Sequence, residues 1–163
     1  MLSNRFLCLM GFFSLPAFVV FGSTSAPAAA EEVAVIVNRQ NAENQMSFKE
    51  ITDIFKQQRK FWGDNSKIYL VMRTSGSVEK EIILRRIYNM DEQEMKKYWL
   101  SRIFRGESTS FPKTFSSDRA IKRFISLVPN AIGFVNASQA DDSIQVVTID
   151  SKRPGDSGYS LSS

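Results

Sequence analysis

One turn of small and hydroxylated residues in this chain has the composition of an anion-binding site. The residues from Arg73 to Ser77 lie between an apolar run at 68–72 and a segment whose apolar residues recur at helical spacing. An arginine can bind two oxygens of a phosphate or carboxylate at once, and Ser75 and Ser77 offer hydroxyl donors. Gly76 would let a ligand approach the backbone. The turn is therefore a candidate site for a small oxyanion.

The elements on either side would position this turn. The run at 68–72 is apolar on both faces, which is typical of a strand in a parallel sheet covered by helices. A helix that starts at the carboxyl end of such a strand directs unpaired N–H groups into the crevice where open α/β sheets bind ligands. A plainer interpretation is also open, in which the serines only cap the helix and Arg73 is solvated. Glu79, in the first helical turn, would repel an anion.

The residue inventory excludes most enzyme chemistry. The chain has no histidine, and its single cysteine, Cys8, lies in the apolar amino-terminal segment. Thiol, imidazole and the usual zinc chemistry are therefore not expected in residues 31–163. A pairing of Ser77 with Lys80 or Lys113 stays open, but no G-x-S-x-G motif supports it. We predict a protein without catalytic residues, metal or cofactor.

Residues 1–30 have the features of a secretory signal peptide. Arg5 precedes an apolar run from Phe6 to Gly22, and the sequence Ala-Ala-Ala at 28–30 matches an A-x-A cleavage site. The alternative is an uncleaved membrane anchor, although the run is short for a bilayer span. Export without disulfides fits a bacterial periplasm. We therefore predict a periplasmic protein that begins near Glu31.

The charge balance points away from nucleic acid. The formal net charge of the chain is +4, and basic and acidic residues are interspersed. A mild positive charge of this kind modestly favours encounters with small anions. We predict no nucleic-acid partner.

The order of the predicted elements gives the fold class. We predict strands at 33–38, 68–72, 131–135 and 144–149, and helices that begin near residues 47, 77, 91 and 117. Phe61 and Trp62 would close one end of the core. Alternating strands and helices indicate an α/β fold of three layers, α-β-α, around a mainly parallel sheet of about four or five strands. We assign residues 31–150 to this domain and expect the polar tail at 151–163 to be disordered.

Three segments together resemble the phosphate-binding proteins of bacterial phosphate ABC transporters, which have the type 2 periplasmic-binding fold. Residues 54–62 are similar to the family's I-F-x-G-x-x-x-x-W stretch, and residues 129–135 are similar to P-G-A-I-G-Y-V. Residues 73–79 stand where the family has R-x-D-G-S-G-T. The order and spacing agree from about Val33 to Asp150. The resemblance implies a small relative that corresponds to one lobe of the two-lobed binding proteins.

The resemblance also assigns roles to single residues. It implies that Arg73 is the ligand arginine and Ser77 the ligand serine, while Val78, in place of a glycine, keeps its backbone N–H available. Ser75 replaces an aspartate. Glu79 replaces a threonine, which removes a hydroxyl donor and adds a negative charge.

Two functions follow as hypotheses. In the first, Arg73, Ser75, Gly76, Ser77 and Val78 bind phosphate or a related small oxyanion in an exported solute-binding protein. An ABC transporter or another envelope protein could be its partner, and self-association could complete the cavity. In the second, the chain is a periplasmic interaction module that kept the fold and lost ligand binding.

Overall fold

The computed structural model describes residues 31–163, and the predicted signal peptide at 1–30 lies outside the described residues. The strands are β1 (Val33–Val37), β2 (Gln45–Met46), β3 (Tyr69–Arg73), β4 (Lys113–Phe115), β5 (Ala131–Asn136), β6 (Gln145–Val146) and β7 (Thr148–Ile149). The helices are α1 (Phe48–Phe55), α2 (Val78–Ile83), α3 (Glu92–Phe104) and α4 (Asp118–Leu127). A π-helical turn, Leu84–Tyr88, continues α2, and a short 3₁₀ turn, Ala137–Gln139, follows β5.

The predicted α/β fold class is confirmed. The central sheet has the order β4-β3-β5-β1-β6. β3 is parallel to both β4 and β5, whereas β1 is antiparallel to β5 and β6. Four of the five strands therefore run in one direction, and β1 opposes them.

Two cores lie on the two faces of the sheet, which makes the fold three-layered. The larger core joins one face to α1, α2, the π-helical turn and α3, and its largest fully buried side chain is Trp99. The smaller core joins the other face to α4 through Ile121 and Ile125. Successive residues of a strand point to opposite faces, so Val71 lies in the smaller core while Leu70 and Met72 lie in the larger one.

The carboxyl-terminal tail is ordered, which corrects our expectation of disorder at 151–163. Tyr159 and Leu161 are buried in the larger core, and the Tyr159 hydroxyl donates to the Val33 carbonyl at 2.9 Å. The Val33 N–H donates to the Leu161 carbonyl, also at 2.9 Å. Two apolar side chains and a few backbone hydrogen bonds are enough to fix this polar segment. The mostly polar composition of the tail gave no sign that these few contacts would form.

The predicted strand at 144–149 is also corrected. Residues 145–146 pair with β1 in the central sheet, whereas residues 148–149 pair with β2 in a separate two-stranded sheet. The chain passes from one sheet to the other at Val147, whose N–H donates to the Val35 carbonyl at 2.8 Å. Within residues 31–163, no helix is long and apolar enough to cross a membrane.

Candidate functional site

The predicted turn joins the carboxyl end of β3 to α2. Gly76 has φ of +80°, in the left-handed region that favours glycine. A Cβ atom at Gly76 would meet nothing within 4 Å, so the backbone conformation, and not crowding, requires the glycine. Gly76 therefore leaves open space above the turn.

Ser77 is the N-cap of α2. Its hydroxyl oxygen accepts a hydrogen bond from the Lys80 N–H at 3.2 Å, while its O–H stays available as a donor. The first N–H groups of the helix, at Val78 and Glu79, have no acceptor within the helix itself. The side chain of Val78 is 44% exposed, so the first turn of the helix reaches solvent.

Arg73 is the cation at the base of the turn, and only 13% of its side chain is exposed. Its Nε lies 3.9 Å from Glu79 Oε2, and its Nη1 lies 3.5 Å from Asp118 Oδ1. These separations allow ionic attraction but are long for an N–H···O hydrogen bond. In the described part of the chain, Arg73 Nε, Arg73 Nη1 and Asp118 Oδ1 are buried without any hydrogen-bond partner. The charge of Arg73 is therefore balanced, whereas two of its donor positions are unused.

Asp118 reaches Arg73 from the neighbouring strand and helix. β4 pairs with β3 in parallel, with Phe115 opposite Arg73, and α4 begins at Asp118 three residues later. Burial raises the pKa of Asp118 above its usual value; the Arg73 guanidinium opposes this effect, and the Glu79 carboxylate adds to it. With both carboxylates ionised, the three-residue cluster carries one net negative charge.

Ser75 is engaged by a different carboxylate. Its hydroxyl donates to Glu92 Oε1 at 2.8 Å, and the nearly buried Lys80 donates to the same oxygen at 2.7 Å. Burial raises the pKa of Glu92, but the hydrogen bonds from Lys80 and Ser75 outweigh it and hold the pKa below its usual value. In this conformation the Ser75 hydroxyl is not available to a ligand.

The structure thus keeps the five predicted residues on one turn but assigns them different roles. Arg73, Gly76, Ser77 and Val78 leave donor groups or open space at the turn, whereas Ser75 ties it to α3. Of the two carboxylates beside Arg73, only Glu79 was predicted from the sequence. A signal for Asp118 exists, because the carboxyl ends of parallel neighbouring strands meet at one edge of a sheet, but β4 was not predicted.

No protein-family model and no curated protein matches the sequence. Solved structures do match. A protein described as a phosphate ABC transporter substrate-binding protein of Clostridium perfringens, solved with bound phosphate, aligns with a TM-score of 0.62 at 20% identity over 76% of this chain and 47% of that chain. An ABC-type phosphate transport receptor of Vibrio cholerae gives 0.61 at 15% identity over 77% and 48% of the two chains. PstS of Borrelia burgdorferi gives 0.62 at 16% identity over 77% and 49%.

These similarities concern the fold, since all three identities are 20% or less. The present chain spans about half the length of each of these proteins, as the covered shares of 47% to 49% show. The chain therefore has a fold that matches about half of a phosphate ABC transporter substrate-binding protein.

Proposed function

We propose that this chain is an exported, non-catalytic protein of the periplasm that binds phosphate or a related small oxyanion at the turn between β3 and α2. The observation that carries the proposal is the state of Arg73, which is nearly buried and has two guanidinium nitrogens without hydrogen-bond partners. A buried polar group without a partner is costly, and an oxyanion that took the place of either neighbouring carboxylate would supply an acceptor to the nitrogen that faces it. The fold similarity to a phosphate-bound protein supports the same reading.

The turn offers further donors beside the arginine. The Ser77 O–H and the backbone N–H of Val78 lie at the start of α2, where the helix dipole favours negative charge. Gly76 leaves room for the ligand to approach. Ser75 would contribute only after its hydroxyl leaves Glu92, so we assign it a role in positioning the turn.

Glu79 and Asp118 limit the affinity. Each places a carboxylate within 4 Å of the guanidinium, where an anion would also have to approach. An incoming phosphate must overcome this repulsion, or Asp118 must take up a proton, which its raised pKa favours. We expect a dissociation constant on the order of millimolar, equivalent to about 4 kcal/mol of binding free energy.

The remaining contacts to the ligand would come from outside this domain. Because the chain spans about half the length of its structural neighbours, we infer that it supplies one side of a ligand-binding cleft. A second copy of the chain, a phosphate ABC transporter or another envelope protein would cover the ligand from the other side. Export would use residues 1–30 as a signal peptide.

A second candidate function is an interaction module that retains the fold without the ligand. The observation in its favour is that the two carboxylates of Glu79 and Asp118 already exceed the single charge of Arg73. In that case the same face would contact a protein of the envelope and would not respond to phosphate.

An NMR titration distinguishes the two functions. Amide resonances of isotope-labelled protein are followed during addition of phosphate, with sulfate as the comparison anion. The proposal predicts saturable shifts confined to residues 73–80. Absence of any localised shift at high phosphate would exclude the solute-binding function and favour the interaction module.

Two substitutions of Arg73 and one control make the titration specific. Arg73→Ala should abolish the shifts, and Arg73→Lys should weaken them, because an ammonium keeps the charge but lacks the planar fork. Arg85→Ala removes an equal charge from an exposed position outside the turn and should leave them unchanged. Equal losses in the Arg73→Ala and Arg85→Ala proteins would mean that only net charge matters.

A further inference from the structure

A cavity lies beside the first half of β3, away from the Arg73 turn. It is a cleft of about 500 Å³, and its walls come from residues 59–61, residues 67–71 and the loop at 106–113. We call it the basic aromatic cleft. Tyr69 lines it and Arg73 does not; four residues of strand separate the two positions by about 13 Å. Its volume lies in the usual range for small-molecule sites.

Three aromatic side chains at this cleft keep much of their surface in water. Phe61, Tyr69 and Phe111 are 54%, 48% and 44% exposed, although each comes from a different wall. Large apolar side chains that line one concave surface usually mark a binding site and not a surface without function. Their rings offer flat faces on which another aromatic group could pack.

Cations surround the same aromatic side chains. Lys60, Lys67 and Lys113 line the cleft, and among residues 31–163 none of the three takes part in an ion pair. Lys60 Nζ donates to the Glu107 carbonyl, and Lys113 Nζ lies 4.7 Å from the centre of the Phe124 ring. Within residues 31–163, Lys67 and Lys113 therefore have no carboxylate at ion-pair distance.

The one acidic residue in the lining does not offset these cations. The carboxylate of Glu107 accepts hydrogen bonds from Arg105 and lies 3.3 Å from Arg102 Nη1. A fourth cation, Arg59, is already balanced by Glu43 and Glu50. The cleft is thus positive as well as aromatic.

We propose that the basic aromatic cleft binds a small organic anion that carries an aromatic ring. The ring would pack against the side chains of Phe61, Tyr69 and Phe111, and the anionic group would face Lys67 and Lys113. An inorganic anion would gain little here, since exposed lysines bind a hydrated ion weakly and the apolar walls offer it nothing. A neutral aromatic molecule would leave the lysines unused. The cleft therefore differs in ligand class from the Arg73 turn.

A titration with naphthoate tests this assignment, with the uncharged naphthamide as its matched control. We expect amide shifts at residues 60–61, 67–71 and 106–113, and an affinity for naphthoate about fivefold or more above that for naphthamide. Shifts at residues 73–78 in place of the cleft, or equal affinities for the two compounds, would overturn the proposal.

Charge substitutions complete the test. The double substitution of Lys67→Gln with Lys113→Gln should weaken naphthoate binding about fivefold, in line with the modest worth of exposed charge pairs, and leave naphthamide unchanged. Lys96→Gln, on the exposed part of α3, removes one charge and should have no effect. Replacing Lys67 and Lys113 by arginine should preserve binding. Unaltered naphthoate binding in the double glutamine variant would contradict the role of the lysines.

The two sites are separable by experiment. Arg73→Ala should leave naphthoate binding intact even if it abolishes the response to phosphate. Loss of naphthoate binding in that variant would contradict the existence of a separate site.

Discussion

At the scale of single residues, the site depends on what balances the charge of Arg73 and on which of its N–H groups have acceptors. Its guanidinium lies near two carboxylates yet leaves Nε and Nη1 without hydrogen bonds. Burial disfavours the ionised form of Asp118 and raises its pKa. Ligand affinity should therefore respond strongly to the charge at residue 118.

Asp118→Asn should increase the affinity for phosphate at neutral pH. The substitution removes a negative charge that lies 3.5 Å from Arg73 Nη1. At about 4 Å and in a water-like dielectric, one charge pair is worth about 1 kcal/mol, which corresponds to roughly a fivefold change. The amide titration with phosphate measures this change in affinity. Asp142→Asn, at an exposed position, is the control, and an equal gain in that variant would contradict a local effect.

The sequence predicted this site in part. Arg73, the turn and the cap at Ser77 follow from a strand, a glycine and a helix that are adjacent in the chain, so their geometry is local. Asp118 is the first residue of α4, and it is brought close to Arg73 by β4, a strand of three residues that follows Pro112. So short a segment gives no periodic signal, and its pairing with β3 depends on tertiary structure.

At the scale of secondary-structure elements, an ionic contact joins α2 to α3. Lys80 is 4% exposed, and its amine donates to Glu92 Oε1, which also accepts from Ser75. This contact fixes the turn, the start of α2 and the start of α3 relative to one another. The shape of the site therefore depends on Glu92.

Glu92→Gln should destabilise the protein by about 1–3 kcal/mol at neutral pH, because the buried amine loses its charged partner. The pKa of Glu92 is lowered in the folded state, so its contribution is present above the usual glutamate pKa and is lost as the pH falls through the folded value. Urea unfolding at neutral and acidic pH measures both effects. Glu81→Gln, on the exposed face of α2, should have little effect, and an equal loss there would contradict the prediction.

Some features of the secondary-structure elements could be predicted from local sequence patterns alone. The predicted helix starts near residues 47 and 91 are present, and Ser47 and Asp91 each form a capping box, because such a cap depends on residues within one helical turn. Trp62 closes the core as predicted, with its indole N–H on the Asn130 carbonyl, but Phe61 is 54% exposed and lines the basic aromatic cleft. Sequence periodicity could not distinguish these two adjacent aromatic residues.

At the scale of the whole molecule, the tail completes the larger core. Leu161 is fully buried and Tyr159 nearly so, at the end of a segment with few other apolar residues. Alternation of strands and helices was enough to predict the three layers. It could not reveal that the last residues pack against β1, since that contact joins positions far apart in the chain.

Leu161→Ala should lower the free energy of unfolding by about 2–5 kcal/mol, as expected for loss of a buried leucine side chain. Leu127→Ala is the matched control, because Leu127 is 72% exposed and its truncation should cost little. Urea unfolding of both variants gives the comparison. Equally small effects would show that the tail does not contribute to the core in solution.

The most direct test of oxyanion binding at Arg73 is a crystal structure of the protein grown with phosphate. We expect a phosphate with an oxygen within hydrogen-bond distance of Arg73 Nε or Nη1, near the Ser77 hydroxyl and the Val78 N–H. A structure in which Arg73 keeps its contacts with Glu79 and Asp118, with no anion at the turn, would contradict the proposed function.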